Sequence, residues 1–159
     1  MKNAWRRALQ LLARRRMTAA RLRERLRDEG YDHADVEATI ERCLQERLLD
    51  DRLFARFYVE SRSSPRGDAR LTAELVQRGI DPDEAAEAVR DATPPEESRC
   101  AEALARLLRS RPRLTYPAAA RALERRGFPA TVIYRVLRDH ARVHGPLAGL
   151  LDDGEEGDP

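Results

Sequence analysis

Apolar residues recur at helical spacing from the beginning of the chain. Trp5, Ala8, Leu9 and Leu12 fall on one face of a predicted helix over 4–16, with Arg6, Arg7 and Arg14 turned away. Thr18 reads as the cap of a second helix, and Met17 and Leu22 have the spacing of a hydrophobic staple. That helix carries Leu22 and Leu26 and is expected to stop at Gly30, because glycine takes the left-handed conformation of a helix end without steric cost. Tyr31-Asp32 repeats the start signal, with Asp32 as the cap and Tyr31 stapling onto Val36. A third helix follows along Val36, Ile40 and Leu44.

The same unit returns twice. Leu71, Leu75, Gly79, Ile80, Ala85 and Val89 reproduce Leu22, Leu26, Gly30, Tyr31, Val36 and Ile40 at a displacement of 49. Leu123, Gly127, Phe128, Ile133 and Leu137 form a third copy, displaced by a further 48. Asp81-Pro82 marks the restart in the middle copy, a cap followed by proline at the first helical position, and Glu84 completes a capping-box spacing. A further amphipathic helix precedes each pair, over 4–16, 51–63 and about 97–109. The prediction is an all-α chain of three tandem three-helix repeats, about nine short helices in an elongated modular array. The repeats are expected at 1–48, 49–93 and 96–144, followed by an acidic, disordered tail over 145–159. Pro65-Arg66-Gly67 breaks the second repeat, Thr93-Pro94-Pro95 separates it from the third, and Gly145-Pro146 is expected to end the order. No segment shows the apolar alternation of a strand.

Charge changes this picture. The 159 residues carry a formal charge of only +2, and 29 of the 30 basic residues are arginine. Residues 1–27 hold ten bases and one acid; residues 28–97 hold nine bases and 19 acids. Residues 98–147 return to eleven bases against three acids, and residues 148–159 carry five acids and no base. Genomic base composition accounts for arginine over lysine. It does not account for bases gathered toward the two ends, which suits a partner bearing negative charge. Two cysteines make no secreted disulfide scaffold, no run reaches the ~18 apolar residues of a membrane span, and no signal-peptide pattern opens the chain. A cytoplasmic protein is expected, without a membrane association.

Catalytic patterns are missing. The sequence has no glycine-rich phosphate loop, no H-E-x-x-H and no CxxC pair. Cys43 and Cys100 sit within apolar helical patterns and read as buried small hydrophobes. His33, His140 and His144 lack partners at ligand spacing, so no metal or cofactor is expected. Asp50-Asp51 reads as a cap and a favourable charge at a helix N-terminus rather than a cation site. The chain is not expected to be an enzyme.

The most distinctive stretch, 48–80, is LLDDRLFARFYVESRSSPRGDARLTAELVQRGI. An acidic pair is followed by Phe54-Ala55, Tyr58-Val59 and Arg62, then Gly67, Arg70-Leu71, Glu74-Leu75 and Gly79-Ile80. This resembles the RecX family of bacterial recombination regulators, whose hallmark is that ordered set on two successive helices. A first-repeat Leu-x-x-x-Gly-Tyr and a third-repeat Arg-Gly-Phe extend the resemblance over roughly 4–141. The third repeat departs from it in carrying Ala119 where the other copies have Leu22 and Leu71, with Pro112 and Pro117 in its loop.

The resemblance implies a regulator that binds the RecA recombinase and its filament on single-stranded DNA, inhibiting ATP hydrolysis and strand exchange and so modulating recombination, DNA repair and the SOS response. The expected RecA-facing residues are Asp51, Arg56, Tyr58, Arg62, Arg66, Arg70 and Glu74. Arginine suits carboxylate or phosphate partners, and an amphipathic aromatic suits an interface anchor. Phe54, Phe57 and Tyr58 cannot all face one core, and Tyr58 is taken as the half-exposed one, with Phe54, Leu71 and Leu75 in the core. The competing reading is a direct DNA binder with helix-turn-helix-like units, in which Arg14, Arg15, Arg16, Arg21, Arg23, Arg111, Arg113, Arg125 and Arg126 meet the nucleic acid. A monomer is expected, with the acidic tail screening the basic ends.

Overall fold

A computed structural model describes residues 3–149. Nine helices and no strand occur among the described residues: α1 (Ala4–Arg14), α2 (Ala19–Asp28), α3 (His33–Gln45), α4 (Asp51–Arg62), α5 (Asp68–Val76), α6 (Pro82–Ala92), α7 (Glu96–Ser110), α8 (Tyr116–Glu124) and α9 (Ala130–His144).

The repeated glycines end helices as the spacing predicts. After α2, Gly30 sits at φ +82°, its N–H bonds to the Arg27 carbonyl, and the Tyr31 N–H reaches back to the Leu26 carbonyl. The same pair of bonds closes α5, from Gly79 to Val76 and from Ile80 to Leu75, and α8, from Gly127 to Glu124 and from Phe128 to Leu123. This is a Schellman ending, and Leu26, Leu75 and Leu123 are buried, as are Ile80 and Phe128 after their glycines. The Leu-x-x-x-Gly-apolar signature is therefore a helix terminator.

Of the four caps expected from the sequence, Thr18, Asp32, Asp50 and Asp81, three make their bond. Thr18 Oγ1 accepts from the Arg21 N–H at 3.1 Å, Asp50 Oδ1 from the Leu53 N–H at 2.8 Å, and Asp81 Oδ1 from the Asp83 N–H at 2.9 Å. Asp32 occupies the cap position of α3 but its side chain makes no cap bond.

The helices gather into two compact units, and the second repeat contributes to both. Unit 1 contains residues through Glu60 together with 72–92; α1, α2 and α3 pack on one another around Ala8, Leu11, Leu22, Leu26, Val36, Ile40 and Cys43. Two sequence expectations shift here. The buried stripe of α1 is Ala4, Ala8 and Leu11, with Trp5 and Leu12 beside it and Leu9 exposed. In α3, Cys43 takes the core position and Leu44 is exposed. In each helix adjacent apolar residues compete for one inward position, and packing against the neighbouring helices decides which is buried.

Unit 2 contains 61–71 and the chain from Thr93. There α7, α8 and α9 enclose Cys100, Leu104, Leu107, Ala119, Leu123, Phe128, Ile133 and Leu137. Ala119 is fully buried, so the small residue in the third copy is packed against rather than left at the surface. The described chain also continues past Gly145, where the sequence placed the end of order. Leu147 packs against this core, and the Ala148 carbonyl accepts from the Tyr116 N–H at 2.8 Å. Of the tail expected over 145–159, residues 150–159 lie outside the described residues.

Candidate functional site

The expected RecA-facing set divides. Asp51, Arg56, Tyr58 and Glu74 belong to unit 1, and Arg62, Arg66 and Arg70 to unit 2. Asp51 caps rather than faces solvent: its Oδ1 accepts from the Ala19 N–H at 2.9 Å, and burial raises its pKa from the ordinary carboxylate value. Tyr58 is only 9% exposed; its phenol donates to Glu74 Oε2 at 2.8 Å, and the Arg78 guanidinium lies 4.4 Å from its ring centroid. The exposed aromatic of α4 is instead Phe57, 44% exposed, with the Arg16 guanidinium 4.2 Å from its ring. Successive residues on a helix differ by about 100°, so burying Tyr58 and Val59 turns Phe57 outward. Leu71 and Leu75 are core as expected, while Phe54 is half-buried. Arg56 pairs with Glu60 at 2.9 Å.

About half of the arginines of unit 1 meet an acid. Arg7 forks onto Glu29 at 2.7 and 2.8 Å, and Arg25 joins the same carboxylate at 3.3 Å. Arg23 and Arg27 converge on Glu37 at 2.9 and 2.8 Å, and Arg21 pairs with Glu24. Hydrogen bonds from Arg7 hold Glu29 below the usual carboxylate range, and those from Arg23 do the same for Glu37. Of the expected DNA-facing set in this unit, Arg14, Arg15 and Arg16 are exposed and have no acidic partner among the described residues.

Unit 2 also pairs Arg99, Arg106, Arg135, Arg138 and Arg142 with acids, but at one place it sets arginines beside one another. The segment before α5 meets the end of α8, and Pro65, Arg66, Arg70, Ala122, Arg125 and Arg126 line a cleft of about 500 Å³. Residues expected on separate surfaces, Arg66 and Arg70 for RecA and Arg125 and Arg126 for DNA, are thus brought together. Backbone contacts set this geometry: the Gly67 N–H donates to the Arg126 carbonyl at 2.8 Å, and Arg70 Nη1 donates to the Arg125 carbonyl at 3.0 Å. A side chain on Gly67 would run into the Gly127 carbonyl, and one on Gly127 into Arg70, so both glycines are required for the approach. Burial, followed by the positive charges of Arg125, Arg111 and Arg70, lowers the pKa of Arg126. An anion in this cleft relieves that repulsion and meets planar guanidinium donors suited to phosphate or carboxylate. Arg113 lies beside Arg111 ahead of α8.

The sequence reading missed the residue that braces the cleft. Arg99 is 2% exposed; Nε donates to the Pro94 carbonyl at 3.0 Å, Nη1 to the Arg66 carbonyl, and Nη2 to Asp68 Oδ1. The Asp68 N–H donates in turn to Glu96 Oε1 at 2.8 Å. One signal was present: Arg99, Ala103 and Leu107 share a helical stripe, so an arginine occupies a core position of an otherwise apolar face.

Neither thiol is placed for chemistry. Cys43 and Cys100 are buried, and burial pushes the Cys100 thiol up to about 12. Among the described residues no group of three or more His, Cys, Asp or Glu is placed to hold a metal ion, and no helix is long and apolar enough to cross a membrane. The His140 and His144 rings lie tilted at 35° with centroids 4.7 Å apart, and burial lowers the pKa of His140.

Fold and site together define an all-helical protein of three-helix modules whose distinctive surface is a cleft lined by Arg66, Arg70, Arg125 and Arg126. Comparison with known proteins gives it a family. Residues 4–43 match the first three-helix domain of RecX and residues 50–89 the second. The chain is 36% identical over 144 residues to the regulatory protein RecX of Thermobifida fusca, covering 86% of this chain and 78% of that one. It is 40% identical over 131 residues to the regulatory protein RecX of Thermus thermophilus, covering 82% and 87%. A crystal structure of RecX from Lactobacillus salivarius superposes with a TM-score of 0.75 at 18% identity, over 86% of this chain and 93% of that one. The chain belongs to the RecX family of regulatory proteins.

Proposed function

We propose that this chain binds the RecA recombinase and its filament on single-stranded DNA, slows ATP hydrolysis and strand exchange there, and so modulates recombination, DNA repair and the SOS response. The observation that carries the reading is the match to both RecX three-helix domains, over 4–43 and 50–89. The arginine cleft supports it physically. A nucleoprotein filament offers phosphates and carboxylates at regular intervals, and Arg66, Arg70, Arg125 and Arg126 present the donors that recognise them. The repeats 1–48, 49–93 and 96–144 act as docking modules whose individually weak contacts add through effective concentration. The protein works as a cytoplasmic monomer, without cofactor and without catalysing a reaction of its own.

The test is the rate of RecA-catalysed ATP hydrolysis on single-stranded DNA with substoichiometric protein. Slowing is expected; an unchanged rate up to equimolar protein overturns the reading. A second reading, direct DNA binding without RecA, is favoured by the unmatched Arg14, Arg15 and Arg16. Pull-downs with RecA in the presence and absence of single-stranded DNA separate the two. Recovery of RecA without DNA supports the first, and capture of single-stranded DNA in the absence of RecA, with no recovery of RecA alone, supports the second.

A further inference from the structure

Helix α4 turns Ala55, Tyr58 and Val59 inward and leaves Phe57 at the surface of unit 1, 44% exposed. The Arg16 guanidinium lies over that ring, 4.2 Å from its centroid, within the range of a cation–π contact. No acid holds Arg16 there; the connector between α1 and α2 does. Met17 is buried, Thr18 Oγ1 donates to the Arg78 carbonyl at 2.6 Å, and the Ala19 N–H donates to Asp51 Oδ1 at 2.9 Å. Arg14 and Arg15 come just before, at the end of α1, exposed and without an acidic partner among the described residues. One place in unit 1 therefore carries an exposed aromatic ring, a guanidinium laid over it and two further arginines alongside in the chain.

We propose that Phe57 and Arg16 form a stacking platform for an unpaired base of single-stranded nucleic acid, with Arg14 and Arg15 taking the phosphates beside it. Proteins that hold single strands without sequence preference combine a basic track with aromatic faces on which bases lie, and guanidinium planes serve bases in the same way. The exposed part of the Phe57 ring and the outer face of the Arg16 guanidinium are both open to such a base. A base stacked inside a duplex has no free face to offer, so the platform selects the single-stranded form. Charge and shape favour a nucleic-acid strand over an acidic protein segment. The run Arg14-Arg15-Arg16 has no apolar residue within it to anchor a peptide, and it suits an evenly charged backbone. Because Met17, Thr18 and Ala19 fix the connector, little ordering is left to be done on binding. The inference goes beyond RecA binding and rests on the direct-DNA reading above, to which it adds a contact with the base itself.

The experiment uses the full chain and two labelled 30-nucleotide strands at low salt: poly(dT), and an abasic deoxyribose-phosphate strand that keeps the phosphates and lacks the bases. The unaltered protein is expected to bind poly(dT) about tenfold more tightly than the abasic strand, within the range of one base–aromatic stack. Phe57→Leu keeps an apolar side chain but no aromatic face. It is expected to lose that tenfold advantage and to bind the abasic strand as before, whereas Phe57→Tyr keeps the advantage. Replacing Arg14 and Arg15 with glutamine should weaken both strands alike and reduce the slope of log affinity against log salt by about 1–1.5, at about 0.7 per phosphate. A second readout needs no variant: the ring-proton resonances of Phe57 should move upfield with poly(dT) and stay with the abasic strand. Equal affinity of the unaltered chain for the two strands overturns the platform and leaves the direct-DNA reading standing. Binding of neither strand up to about 100 µM protein, the weak end of non-specific affinity, overturns both, so the two failures are distinguishable. Phe57→Leu that holds poly(dT) as tightly as the unaltered chain also overturns the platform, and a fall in RecA recovery by that variant would assign the surface to a protein partner instead.

Discussion

Two stretches of the chain look alike as formal charge, ten bases against one acid over 1–27 and eleven against three over 98–147, and in each some arginines meet carboxylates, so the difference between them lies at one place rather than along the whole stretch. In the first, acids that lie just beyond the stretch return to it: Glu29 collects Arg7 and Arg25, and Glu37 collects Arg23 and Arg27. The positive charge there ties α1, α2 and α3 together. In the second, Arg106, Arg135, Arg138 and Arg142 likewise meet Glu102, Glu97 and Asp139, but the backbone contact between Gly67 and Arg126 sets Arg126 near Arg125, Arg111 and Arg70, whose charges add to burial in lowering its pKa. A segment's charge thus says little about its use. What decides is whether the fold brings a carboxylate or a further arginine alongside, and that is settled by contacts between distant parts of the sequence.

The brace of the cleft gives the largest expected effect. Arg99 is buried and holds two carbonyls and one carboxylate, so Arg99→Ala leaves those acceptors facing a cavity. A loss of about 3 kcal/mol in urea-unfolding stability is expected, from unsatisfied polar groups and lost packing together. Arg23→Ala, at a surface pair of unit 1, is expected to cost under about 1 kcal/mol. Equal costs would erase the distinction between a buried brace and a surface pair. Next comes Gly67→Ala, whose added methyl collides with the Gly127 carbonyl. A cost of about 2 kcal/mol is expected, of the size seen for overpacking, and the amide resonances of Arg126 and Gly127 should move. An unperturbed pair of resonances would show that the two loops tolerate separation.

The comparison sharpens when read as binding. If the cleft is the polyanion surface, replacing both Arg125 and Arg126 with glutamine removes up to two phosphate contacts. The slope of log affinity for poly(dT) against log salt should then shrink by roughly 1–1.5, at about 0.7 per single-strand phosphate. Replacing Arg23 and Arg27 instead should leave the slope unchanged, since those side chains are engaged by Glu37. A loss at Arg23 and Arg27 that matched the loss at the cleft would break the proposed division of labour.

How much of this was legible in the sequence follows from the range of the contacts. Caps, terminators and the repeat are local, and Thr18, Asp50, Asp81 and the three Leu-x-x-x-Gly endings act as their spacing implies. Which of two neighbouring apolar residues faces inward was less legible. Tyr58 rather than Phe57, and Cys43 rather than Leu44, are fixed by what the helix packs on rather than by its period. Least legible was the site itself. Arg70 and Arg125 are 55 residues apart, and Arg66 and Arg99 are 33 apart, so their meeting depends on tertiary structure. An arginine in an apolar stripe was the one local sign of it.

The smallest effect concerns acid. Hydrogen bonds from Arg7 and Arg23 lower the folded-state pKa values of Glu29 and Glu37 below the ordinary 4.5. A carboxylate whose pKa is depressed on folding contributes stability above its unfolded value and loses it as pH falls through the folded one. Unit 1 should therefore weaken on acidification below about pH 4.5. Glu29→Gln combined with Glu37→Gln should flatten that limb of the stability–pH profile while lowering the plateau at neutral pH slightly, because exposed pairs contribute little. Asp51 runs the other way. Burial raises its folded-state pKa, so its ionised form opposes folding and protonation on acidification relieves part of that cost. In the double variant the gain from protonating Asp51 should be complete by about pH 3.8, its ordinary value, and Asp51→Asn should remove that gain. An acid limb as steep as in the unaltered chain would mean that the matched carboxylates of unit 1 do not hold its helices together, and the contrast with the cleft would then rest on unit 2 alone.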